Sequence, residues 1–154
     1  MAAVHKIIGD FYEDSFTLIA LHSSIEAHAM AYAINLCIKS IFKRSSKDLE
    51  ISEHMSFPFF EWQDDQHDRY WVLIANESTK KEGLAREGLF KDETSFLKRH
   101  LVPEYKEVDY FIKIVHDDDL KEDKFLKSLI TIPNMVTAYS IDADKLKSKN
   151  NLIF

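Results

Sequence analysis

The sequence predicts a single α+β domain over residues 1–154, a two-layer sandwich with a mostly antiparallel sheet of about five strands and two main helices. Two segments, 25–42 and 120–132, carry apolar residues at helical spacing without an interior glycine or proline. Four apolar runs, at 16–21, 70–75, 108–115 and 135–141, are too short for helices and rich in β-branched and aromatic residues. Their order is strand, helix, hairpin, strand, helix, strand, which separates the helices from a sheet and is ferredoxin-like in outline.

Residues 4–12 mix apolar and charged positions and suit a short strand or an ordered arm. Phe16 to Leu21 is continuous apolar sequence after Glu13-Asp14, as expected of a strand covered on both faces. Ser23 followed by Glu26 has the spacing of a capping box, which opens the first helix. Ile25, Ala29, Ala33, Leu36, Cys37 and Ile41 then recur on one side, and Lys39, Lys43 and Arg44 suit its carboxyl end. Leu49 to Trp62 has strand composition, but Pro58 cannot donate to a ladder, so an edge or bulged strand is expected. Asp64 to Asp68 is a polar turn that makes 49–62 and 70–75 a hairpin.

Residues 76–94 contain Gly83 and Gly88 and carry no clear period, and 96–101 reads as one or two helical turns. Pro103 fixes its own φ, so 103–107 reads as a tight turn feeding a strand at 108–115. Asp119 and Glu122 repeat the capping-box spacing at the start of the second helix, which Pro133 ends. Met135 to Ile141 is the last strand, and 145–149 leads to the apolar Leu152-Ile153-Phe154.

Composition narrows the function classes. The 154 residues carry 20 basic and 26 acidic side chains, a net charge of −6 that repels a phosphate backbone, so nucleic-acid binding is not expected. The longest apolar stretch, 27–42, is too short to span a bilayer, and Met1 to Lys6 lacks the apolar core of a signal peptide. Cys37 is the single cysteine, which excludes an internal disulfide and suits a reducing, cytoplasmic compartment. Eleven Phe, six Tyr and two Trp supply large buried areas.

Two helices cover one face of a sheet, yet the strands at 16–21 and 70–75 are apolar on both. Ile19, Leu21, Trp71, Leu73 and Phe111 are therefore expected to form an exposed patch that needs a cover. The 78–101 connection, a second copy or another protein would supply it.

No pattern of catalysis emerges. The seven histidines include no His-x-x-x-His pair, and His22, Glu26 and His28 surround a helix start, where polar residues are ordinary. His116 to Asp119 and Asp64 to Asp68 are acidic clusters that helix capping and a solvated hairpin tip account for. Cys37 lies mid-helix between Leu36 and Ile38, as a core residue would. Nucleotide-binding, nucleophile-elbow and Cys-x-x-Cys motifs are missing, and no catalytic residue, metal or cofactor is expected. What remains is Glu104, after Pro103, and Asp109, at the start of a strand where Asp is disfavoured. Asp109 either accepts backbone amides and locks the turn–strand junction, or serves a binding or acid–base role beside Tyr110.

Val102, Pro103, Glu104, Val108, Asp109 and Tyr110 resemble the signature after which the IPExxxVDY family of bacterial proteins is named, with Val102 in place of isoleucine. Leu18-Ile19-Ala20, Ala33-Ile34-Asn35 and Lys147 to Phe154 look similar to the same family, so the resemblance covers the whole chain. It implies a small cytoplasmic protein of Bacteroidetes-type bacteria and brings no reaction, cofactor or catalytic residue. The expected function is a non-enzymatic protein-interaction module, acting by self-association or as an adaptor. The alternative is a small-molecule-binding or weakly catalytic domain with a pocket near Asp109, and RNA association is a distant third.

Overall fold

The computed structural model describes residues 16–53, 55–78, 99–116 and 120–154. The 4–12 arm, most of the 78–101 connection and Asp117 to Asp119 lie outside the described residues.

Six strands form one antiparallel sheet: β1 (Thr17–Ser23), β2 (Lys43–Arg44), β5 (Phe59–Asp64), β6 (Arg69–Ala75), β7 (Tyr110–Val115) and β8 (Met135–Ile141). Their spatial order is β2-β5-β6-β7-β1-β8. A separate pair, β3 (Leu49–Ser52) and β4 (Met55–Phe57), forms a small second sheet. Helix α1 (Ala27–Ile38) follows β1, and α2 (Glu122–Ile130) joins β7 to β8. Strands β8, β1, β7 and β6 alone have the order and antiparallel pairing of a ferredoxin-like split βαβ sheet. The hairpin strand β5 and the short edge strand β2 extend it, which makes six strands rather than about five.

Pro58 ends β4 and separates it from β5, because it has no N–H to pair. The hairpin β5–β6 forms around Asp65 to Asp68 as its polar turn predicts, with Trp62 opposite Trp71. Asp68 takes the positive φ of 53° that the reversal needs.

The first capping box does not close the way its spacing suggests. Ser23 is the last residue of β1; its amide donates to Asp109 Oδ2 at 2.8 Å and its hydroxyl to the Asn134 carbonyl at 2.8 Å. Those tertiary partners occupy it, and α1 starts at Ala27 with no side-chain cap on its first turn. At the second helix Asp119 lies outside the described residues, and Lys121 occupies the cap position without a side-chain bond. Helix α1 stops at Ile38, short of Phe42, because Lys39 turns left-handed at φ 58°. Asn35 then folds the exit back: its Oδ1 accepts from Ser40 Oγ at 2.6 Å and from the Phe42 amide at 2.9 Å.

Both sheet faces are buried. Ile19, Leu21, Trp71, Leu73, Ile112 and Ile114 point to the helices and meet Met30, Ile34 and Leu129. Leu18, Ala20, Val72, Ile74 and Phe111 point the other way. There Leu101, Val102 and Val108 cover them, with Phe57 from β4 and Leu146 and Leu152 from the carboxyl-terminal segment.

This corrects the expected exposed patch. Ile19, Leu21, Trp71, Leu73 and Phe111 are all buried, and they do not share a face. Strand alternation puts the first four under the helices and Phe111 beneath the 101–108 segment. The chain's own irregular segments supply the second cover, so none of the five is available to a partner in the folded domain.

Candidate functional site

The segment resembling the family signature is a docked turn. Val102 precedes a 3-10 turn at Pro103–Tyr105, with the proline at the helix start where its missing N–H costs nothing. Val102 and Val108 are buried on the second sheet face, whereas Pro103 and Glu104 are exposed.

The residue that holds this turn is Asn76, immediately after β6 and fully buried. Its Nδ2 donates to the carbonyls of Tyr105 and Val108, at 2.8 and 2.9 Å, and its Oδ1 accepts the Val102 amide at 2.9 Å. Its backbone is used as fully, donating to the Asp109 carbonyl at 3.0 Å and accepting from Leu101 at 2.8 Å. One amide side chain thus satisfies three main-chain groups that burial would otherwise orphan.

Asp109 is exposed and sits just before β7, outside the ladder that disfavours it. Besides its carboxylate bond to Ser23, its amide donates to the Leu21 carbonyl at 3.0 Å. It therefore joins the end of β1 to the start of β7. Tyr110 is buried and donates its hydroxyl to the Ile25 carbonyl at 2.5 Å. Burial, with the nearby Asp109 and Glu26 carboxylates, pushes its pKa up to about 12, so the phenol stays protonated and serves as a donor. Glu104 accepts the Ser148 amide at 3.1 Å, and Asn151 Nδ2 donates to the Leu101 carbonyl at 2.9 Å. Desolvation pushes the Glu104 carboxyl up, but the bond from the Ser148 amide and those from neighbouring backbone amides together outweigh it and hold the group below its ordinary value. The signature residues thus bind β1, β6 and the carboxyl-terminal segment together.

A small cavity of about 190 Å³ adjoins this junction, lined by Asp109 and Tyr110 with Ser23, Glu77, His100 and Lys106. Ser23 is bonded through both its amide and its hydroxyl, which leaves no activated nucleophile there. No group of three or more metal-ligating side chains occurs among the described residues. His22 donates to or accepts from the Tyr139 hydroxyl at 2.9 Å, while His28 lies exposed beside Glu26. Cys37 is partly buried and its thiol donates to the Ser128 carbonyl at 3.0 Å, which ties α1 to α2.

A larger apolar groove, about 550 Å³, runs between α1 and the 131–134 turn. Ala29, Tyr32, Ala33 and Leu36 form one wall, and Ile132 and Pro133 part of the other. Tyr32 and Leu36 are 66% and 67% exposed. The sequence reading placed Leu36 on the recurring apolar side of the helix and did not single out Tyr32, since a helix is expected to turn its apolar positions inward. The signal present was the lack of any Asp, Glu, Lys or Arg from Ala27 to Ile38.

No protein-family model matches the chain, and no curated protein or solved structure matches it either. No helix among the described residues is long and apolar enough to cross a membrane.

Proposed function

We propose that the chain is a non-enzymatic protein-interaction module that self-associates through the outer face of α1. The observation that carries this reading is an uncharged twelve-residue helix with Tyr32 and Leu36 facing solvent over the 131–134 groove. In a chain of net charge −6, most surfaces repel a second copy, and an uncharged helical face does not. Ala29 and Ala33 stand one turn apart and let two such helices approach closely, with Tyr32 and Leu36 packing on either side of a two-fold axis. Such an isologous contact meets the same face in its partner.

The alternative, a ligand beside Asp109, has less support. Pockets that hold small organic ligands span roughly 300–1,000 Å³, and the cavity there is about 190 Å³. The resemblance to the IPExxxVDY family, itself a proposal, is compatible with either reading because it carries no reaction.

Sedimentation velocity over a dilution series tests the proposal. The native chain is expected to pass from monomer to dimer as concentration rises, and Leu36→Glu to stay monomeric with an unchanged melting temperature. A native chain that sediments as a monomer throughout ends the proposal.

A further inference from the structure

A separate cavity of about 410 Å³ opens between the β5–β6 hairpin and α2. Its floor is aromatic: Trp71 and Phe125 meet edge to face with ring centroids 5.1 Å apart. Its polar lining is cationic, with Arg69, Lys121 and Lys124, and His67 beside them. Among the described residues no Asp or Glu belongs to the lining, although the chain as a whole is acidic. Asp64, which is buried, is engaged by His67, with its Oδ2 at 2.9 Å from His67 Nδ1, and the Glu122 and Asp123 carboxylates belong to a neighbouring pocket that shares Lys121 and Lys124.

The indole of Trp71 gives the independent observation. Trp71 is 4% exposed, and its buried Nε1–H has no hydrogen-bond acceptor among the described residues. A buried donor without a partner is rare and destabilising, and a ligand in the adjoining cavity can supply the acceptor. A flat apolar floor, a cationic wall and an unsatisfied donor are complementary to one class of molecule.

We propose that this cavity binds a small organic anion, its flat apolar body resting on Trp71 and Phe125 and its carboxylate or phosphate held by Lys121 and Lys124. The Trp71 N–H donates to an acceptor on the same ligand. The volume falls within the roughly 300–1,000 Å³ of pockets for small organic ligands. The proposal is independent of self-association, and repeating its test in Leu36→Glu keeps the two separate.

The test is a titration of the full chain, followed by amide and indole N–H resonances, with three probes: 1-naphthyl phosphate, naphthalene-2-carboxylate and uncharged naphthalene-2-methanol. Trp71→Phe assigns the Trp71 indole signal. At least one anion is expected to bind saturably, to move that signal and to bind at least tenfold more tightly than the alcohol. The tighter anion identifies the head group. Lys121→Gln/Lys124→Gln, which changes only exposed side chains, is expected to weaken that binding at least tenfold while leaving the spectrum otherwise native. The proposal is overturned if neither anion binds, if the alcohol binds as well, if the double variant keeps its affinity, or if the indole signal does not respond.

Discussion

The side-chain oxygen of Asn76 accepts the main-chain amide of Val102 at 2.9 Å, in a pair that is buried on both sides. Through it, the end of β6 fixes the turn that closes the second face of the sheet. Asn76→Ala leaves the Val102 amide and the carbonyls of Tyr105 and Val108 without their bonds, and each such loss is worth about 1–3 kcal/mol. A loss of at least 3 kcal/mol in urea denaturation is expected on that scale. Asn76→Asp is expected to be no rescue, because a carboxylate cannot donate to two carbonyls.

Asp109 is predicted to be a modest contributor. Asp109→Ala removes the acceptor for the Ser23 amide, and a loss of about 1 kcal/mol is expected from one such bond at an exposed position. Asp109→Asn retains an accepting oxygen and is expected to recover most of it. A loss of several kcal/mol in both variants in the same denaturation experiment would contradict this assignment.

Tyr110 contributes to the alkaline limit. Its folded pKa of about 12 lies above the ordinary value of 10.0, so the native state holds the proton that the unfolded chain releases. This contribution is complete below pH 10 and falls away as the pH rises through 12. Burial also pushes Tyr70 and Tyr139 up, so all three steepen the same decline. Thermal melts from pH 9 upward are expected to show it, with a shallower slope in Tyr110→Phe.

At the acid end the sign reverses. Glu104 is held below its ordinary value of 4.5, so it stabilises the fold above that pH and loses its effect as the pH falls through the lowered folded value. Glu104→Gln is expected to flatten the stability profile below pH 4.5 and to show its small loss at neutrality, where the carboxylate's contribution is complete. Because Glu104 is exposed, solvent screening keeps the effect small.

The strands and helices were largely legible because each carries its own period and its own breaker. Pro58 marked an interruption of the strand, and the Asp65 to Asp68 turn marked a chain reversal that no tertiary contact overrides. Helix starts were less legible, since Ser23 had a capping spacing and yet its amide and hydroxyl were taken by Asp109 and Asn134, residues distant in sequence. The cover of the second sheet face was hidden for a related reason. Leu101, Val102, Leu146 and Leu152 lie in irregular segments, where burial follows from docking and leaves no periodicity to read. Asn76 was invisible on the same ground: an asparagine after a strand signals a turn, and nothing local shows that three distant backbone groups converge on it.

The central claim, that the uncharged face of α1 receives a second copy, is tested most directly by hydroxyl-radical footprinting at low and high protein concentration. Tyr32 and Leu36 are expected to be oxidised readily when dilute and to become protected when concentrated, while Ile51 and Phe154, also exposed, keep the same rate throughout. Equal labelling of Tyr32 and Leu36 at both concentrations would contradict it.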